Sequence, residues 1–338
     1  MILRPKPSLP QHCTFAVTAA ASPATSVPSW LRRAVPNAQS VADKDVAEVA
    51  LVAGTAIGAL DAVARRQERW AGACRQRLAL SASAVTARQA GRVESEAALR
   101  DTVLLTKAGD DVGPGGRMLL AWRRLAGRPA EELLTKKNLD AVLGEFGYAP
   151  DDAAVGDLAD ELRRLSTAGM VEMLTGAFIA AERYGFGRPV GAWLADALVA
   201  QRLGWAHAVP LLGAEVFAGF GAGRLRRSGT TLAAASIDEE GARAKGLLAA
   251  QARAALRAID LSAELGRRSE RLLIVAPKLR ARASGLVVER LLSDDAVVAS
   301  EKIAGMSDRG LRRLFDRLME IGAVRELSGR PTFRIYGL

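Results

Sequence analysis

Runs in which Val, Ile or Tyr alternate with polar residues are almost absent from this chain until its last few residues. A half-buried strand needs that period of two, whereas a helix places one face every 3.6 residues. Up to about residue 275 the sequence spaces small apolar residues and charges at helical intervals, with Ala, Leu, Arg and Gly dominating. The body is therefore expected to be all-α. The spacing predicts helices over 42–70, 71–90, 94–106, 118–126 and 131–146, and one opening at Asp151-Asp152. Three more are expected over 168–184, 190–204 and 206–218, and a long one from Asp238 to about Leu265.

The last sixty residues break that pattern. Gly285 to Ser293 reads as a short apolar helix, and the turn Asp294-Asp295 leads toward a second around Ser300 to Ala304. After Gly305-Met306, Ser307 can cap a third helix from Asp308 to Ile321, which Gly322 can close in the left-handed conformation. Ala323 to Tyr336 reads as two strands around a Ser-Gly-Arg-Pro tip. Helix, helix, helix, hairpin is the order of a winged helix-turn-helix.

At about 100° per residue, Leu311, Leu314, Phe315, Leu318 and Ile321 share one stripe of the third helix, and Arg309, Arg312, Arg313 and Arg317 the opposite side. A recognition helix needs both faces, one for its own domain and one for the major groove. Arginine suits the groove because its forked guanidinium bonds guanine O6 and N7 together or clamps a phosphate. Arg330 at the tip and Arg334 on the return strand would meet backbone or minor groove. The plain alternative is an amphipathic surface helix, since Asp316 and Glu320 share the polar face and Arg312–Asp316 has ion-pair spacing.

Charge agrees with an anionic partner, nucleic acid before membrane: the net charge is +10, and residues 278–338 hold 12 Lys and Arg against 8 Asp and Glu. The side chains of hydrolytic, redox and metal chemistry are scarce. Cys13 and Cys74 cannot build a disulfide framework or a thiolate metal site, and His12 and His207 stand far apart. No enzyme activity, metal or cofactor is expected. Lys107 to Arg117 is a glycine-rich connection without the phosphate-loop pattern, and Gly219-Phe-Gly-Ala-Gly223 lacks the strand a dinucleotide fingerprint requires. An enzyme or ligand sensor around the 109–117 loop, using Asp110 and Asp111, is a third alternative. The acidic cluster at Asp151, Asp152, Asp157, Asp160 and Glu161 is explained by a helix start and a mixed solvated face. Gly54 and Gly58, beside Ala50 and Ala62, would let another helix approach closely. Prolines 5, 7 and 10 crowd the N-terminus against a signal peptide, and Val49 to Leu60, at 12 residues, falls short of a membrane span. A cytoplasmic protein is expected.

Four segments taken together resemble one family: Ala56–Val63, Asp110–Arg124, Trp193–Leu198 with Arg202–Trp205, and Ser307–Phe315. It is the alphaproteobacterial family of domain of unknown function 1403, often encoded on rhizobial plasmids, and the resemblance runs from about residue 28 to the end. It brings no catalytic or binding residue with it. Its plasmid setting implies replication, partition or plasmid-borne regulation. The expected organisation is a disordered lead-in over 1–28, a helical domain over 29–220, a connector and long helix over 221–277, and the winged unit over 278–338. The expected function is binding of double-stranded DNA as a regulator or plasmid-maintenance factor, with no membrane partner. The body would supply homodimerisation or a ligand or partner input. The alternative is a winged helix that binds protein.

Overall fold

The computed structural model describes residues 27–37, 39–107, 109–215, 232–328 and 333–338. The expected lead-in, the glycine-rich stretch around 219–223 and the hairpin tip at 329–332 lie outside the described residues. The rest is mostly helical. A short α1 (Ser29–Ala34) precedes α2 (Val46–Arg65), α3 (Ala71–Gln89), α4 (Glu96–Leu105), α5 (Gly113–Gly127) and α6 (Lys136–Glu145). Then follow α7 (Asp152–Leu165), α8 (Met170–Arg183), α9 (Arg188–Leu203) and α10 (Leu232–Val275). The body packs in helix pairs: α2 along α10, α3 along α5, and α8 along α9.

Caps explain several boundaries. Asp45, Ser95 and Asp151 each accept a hydrogen bond from a backbone N–H of the first turn of α2, α4 and α7. Asp151 thus has the structural role expected for the acidic cluster, and Glu161 is held by Arg183 at 2.7 Å. Because the aromatic content is low, a few large side chains fill the joints between alanine-rich helices. Trp122 and Trp193 are fully buried, and each satisfies its indole N–H: Trp122 donates to Thr86 Oγ1 at 3.0 Å and Trp193 to the Ala121 carbonyl at 3.0 Å.

Three local expectations are corrected. The glycine-rich connection is half helix, because Pro114 sets the first turn of α5 and Gly115 and Gly116 lie against Leu99 and Val112, where a Cβ would collide. Asp110 and Asp111 remain exposed on its approach; Asp111 accepts from the N–H of Gly113 and lies 3.9 Å from Arg117 Nε, and the described residues hold no metal-ligating cluster there. The helix expected over 206–218 does not form over its described part. That chain runs extended through buried Pro210, and only Leu212–Ala214 makes a 3-10 turn. The buried carboxylate of Asp196 on α9 competes for its backbone, accepting the N–H groups of Leu211 (2.7 Å) and Leu212 (3.1 Å). Third, no described residue covers Gly54 and Gly58; α2 turns Val49, Val52, Ala53, Ala56, Ile57 and Leu60 inward instead. Among the described residues α2 is the one helix long and apolar enough to cross a membrane, a length the Val49–Leu60 stretch alone does not reach.

Burial pushes the Asp196 carboxyl up to about 8, against the opposing pull of the two N–H donors. The fold therefore holds a proton that the unfolded chain releases above its ordinary carboxylate range, so stability should fall as pH rises from about 4 to about 8. Asp196→Asn keeps an acceptor oxygen without the ionisation. The variant should gain on the wild type between pH 5 and pH 8 in paired thermal melts, and a constant difference would show that Asp196 does not carry the dependence.

The C-terminal unit comprises α11 (Ser284–Ser293), β1 (Val297–Val298), α12 (Asp308–Glu320), β2 (Arg325–Glu326) and β3 (Ile335–Gly337). Its strands form one antiparallel sheet in the order β1-β3-β2, with Val297 opposite Tyr336 and Glu326 opposite Tyr336 on the other side. This corrects the expected three helices plus a hairpin to two helices plus three strands. The ladder continues to Ala299, whose N–H donates to the Arg334 carbonyl at 2.9 Å, so only 300–304 remain before Gly305 turns the chain at φ 80°. So few residues do not repay helix nucleation, and the segment stays irregular, with turns only at its two ends. The unit shares its core with the body: Leu265 and Leu272 of α10 belong to the same apolar cluster as Val287, Leu291, Phe315 and Tyr336.

Candidate nucleic-acid interface

Helix α12 starts where expected. Ser307 Oγ accepts the Gly310 N–H at 3.2 Å, and Gly322, at φ 64°, ends the helix while the Ala323 N–H returns to the Leu318 carbonyl at 2.8 Å. Its apolar stripe is seated as the periodicity requires. Leu311, Leu314, Phe315 and Leu318 are buried, and Phe315 stacks on Tyr336 of β3 with ring centres 4.2 Å apart. That stack fixes the rotation of α12 about its axis, because it ties the helix to the central strand. The opposite side is therefore determined, and Arg309, Arg312, Arg313 and Arg317 are all exposed on it.

The six expected arginines do not stand alike. Arg309, Arg312 and Arg313 have no acidic partner among the described residues, so the Arg312–Asp316 pair that the surface-helix alternative would use is not made. Asp316 instead faces Arg334 at 4.0 Å, and Arg334 also reaches Glu326 at 3.8 Å. Arg317 pairs with Glu320 at 3.6 Å. These pairs are long and exposed, worth little in stability, and their arginines exchange partners readily. Arg330 lies outside the described residues.

Two further cations join this end of the molecule. Arg282 Nε lies 3.9 Å from the place a Cβ would occupy on Gly305, beside the turn that feeds α12, and Lys302 is exposed in the same connection. The signal for Arg282 was available in Arg280-Ala-Arg282, but only the left-handed Ala283 (φ 63°) folds it toward Gly305. Among the described residues, positive charge without an acidic partner thus gathers at the N-terminal half of α12, where Asp308 is the one acid of that half, while Asp316 and Glu320 balance the C-terminal half.

The unit is anchored through Asp295, between α11 and β1. Its side chain is fully buried, held by Arg100 Nε at 2.7 Å and Arg123 Nη2 at 2.6 Å, while its carbonyl accepts from Arg77 at 3.2 Å. Three body helices, α3, α4 and α5, therefore grip one residue of the C-terminal unit. Its sequence neighbourhood reads as a turn, and nothing local marks Asp295 otherwise.

Comparison with curated proteins and with solved structures finds no match to this chain. The model of a family described as protein of unknown function (DUF1403) matches residues 17–338, and the chain belongs to that family.

Proposed function

We propose that the protein binds double-stranded DNA through α11–β3, acting as a regulator or plasmid-maintenance factor. The observation that carries this reading is the set of three arginines on the first half of α12 that have no acidic partner among the described residues. The helix is rotated by the Phe315–Tyr336 stack so that this side faces outward. The sheet order β1-β3-β2 with α12 before β2 supports this reading, since a winged helix orders these elements in the same way, here without its middle helix. In that arrangement the N-terminal half of the second major helix enters the major groove and the β2–β3 connection meets the backbone. Arg309, Arg312 and Arg313 would approach bases or phosphates, and Arg317, Arg330 and Arg334 would hold the backbone.

The test is salt dependence. Affinity for duplex DNA should fall steeply between 50 and 200 mM salt as counterions are released. Arg317→Ala and Arg330→Ala should weaken all duplexes alike and flatten the slope. Absence of binding to any duplex at low salt would end the DNA reading.

A second reading, a protein-binding winged helix, is favoured by one observation: Phe333, next to Arg334, is 58% exposed, and Met319 on α12 is 37% exposed. Apolar side chains there suit a protein surface better than phosphate. On the first reading the wild type binds duplex and Phe333→Ser leaves that affinity unchanged; on the second no duplex binds at low salt, and Phe333→Ser should weaken association with the protein partner.

A further inference from the structure

A cavity of about 250 Å³ lies between the end of α2, the start of α3, the middle of α10 and the extended chain after α9. Leu60, Val63, Trp205, Val209 and Ala258 give it apolar walls. Trp205 is fixed in place because its indole N–H donates to Asp61 Oδ1 at 2.8 Å. Cys74 adds to the wall rather than to the chemistry, since burial pushes its thiol up to about 12 and it stays as S–H. Glu68 and Arg69, one acid and one base, also border the cavity.

Gln67, Ser262 and Ser293 add neutral polar groups to the lining, and two further side chains, Arg75 and His207, bear on what it can hold. Arg75 is largely withdrawn from water; its Nε donates to the Ala126 carbonyl at 2.8 Å, and no carboxylate of the described residues pairs with it. Other arginines withdrawn from water lie near a carboxylate: Arg100 and Arg123 pair with Asp295 and Arg253 with Glu215, while Arg77 bonds only the main-chain carbonyl of Asp295 but feels the charge of its side chain. A guanidinium so placed without a counterion is costly unless an anion completes it. His207 is the second group. Burial, then the charge of Arg75, hold its imidazole below the ordinary value, so it is neutral near pH 7 and can donate an N–H.

We propose that this cavity binds a small organic carboxylate with a compact apolar body. The carboxylate would lie against Arg75 and His207, and the body against Trp205, Val209 and Leu60. Arginine supplies the forked donors a carboxylate matches, and the walls supply the burial that makes that bond strong. Nothing in this inference depends on the DNA reading.

Isothermal titration of the full chain with benzoate, benzamide and inorganic phosphate tests it. Benzoate should bind saturably at one site, and benzamide and phosphate at least about tenfold more weakly, each lacking one half of the match. Arg75→Gln should weaken benzoate by a similar factor. The His207 titration, followed by NMR in a His12→Asn background, should move upward when benzoate binds, because a carboxylate favours the imidazolium. Should Arg75→Gln not fold, Ala206→Trp is the second variant: Ala206 is exposed at the cavity mouth, and only its carbonyl is used, by the Ala130 N–H. That tryptophan should block benzoate uptake. The proposal is overturned if benzoate shows no saturable uptake at millimolar concentration or if benzamide or phosphate binds as well. It is equally overturned if the variants bind benzoate like the wild type or the His207 titration does not move.

Discussion

Replacing Asp295 with alanine is expected to destabilise the fold by roughly 3–5 kcal/mol, the cost of leaving a buried charge without its partner. The side chain has no exposed surface, and the two arginines that hold it, Arg100 and Arg123, are only 9% and 18% exposed. Removing the carboxylate strands both guanidinium groups, with Arg77 close by and the Nε atoms of Arg77 and Arg123 already lacking partners. The cost arises from that remaining charge, so removing the charges together should restore part of it. Arg100→Leu with Arg123→Met and Asp295→Leu should be clearly less destabilising than Asp295→Ala alone. Asp294 is the control. It pairs with Arg290 at 2.8 Å, but both partners keep contact with water, and alanine there should cost no more than about 1 kcal/mol. Urea melts followed by tryptophan fluorescence measure all four proteins. If Asp295→Ala lies within 1 kcal/mol of the wild type, the buried pair does not hold the C-terminal unit on the body.

Asp295 also marks what the sequence could and could not express. The helices of the body were legible because each carries its own periodicity and caps: α3, α4, α8 and α9 all begin within two residues of where spacing placed them. The apolar stripe of α12, its Ser307 cap and the Gly322 stop were legible for the same reason. What failed was decided by partners distant in the chain. Asp196 draws the backbone of Leu211 and Leu212 out of a helix that local spacing favours. The ladder from β1 to β3 takes Ala299 and leaves too little chain for the expected second helix. Asp295 meets Arg100 and Arg123 only after α4 and α5 have packed, across 195 and 172 residues of sequence. The candidate interface was half legible: periodicity gives the exposed side of α12, but not which arginines find acids. The plain alternative pairs Arg312 with Asp316, but Arg334 lies at 4.0 Å from that carboxylate instead.

That exchange sharpens the second large effect, because it singles out Arg309, Arg312 and Arg313 as the arginines free to leave the protein surface. Alanine at all three should leave the melting temperature close to wild type, since none of them is buried or paired among the described residues. Binding to a selected duplex should nonetheless collapse. A bidentate guanine contact is worth about 1–3 kcal/mol, so even one such contact among the three represents roughly tenfold or more in affinity. Single substitutions then separate reading from mere attraction. At a position that reads a base, alanine should weaken the preferred site far more than scrambled duplex, and lysine should not restore the preference, because a point charge lacks the planar fork. At a position that only meets phosphate, alanine should weaken both duplexes equally and lysine should recover most of the loss. Competitive binding of each variant to selected and scrambled duplex measures the difference. Equal losses on both sequences at all three positions would mean that α12 attracts DNA without reading it. Specificity would then have to come from the β2–β3 connection.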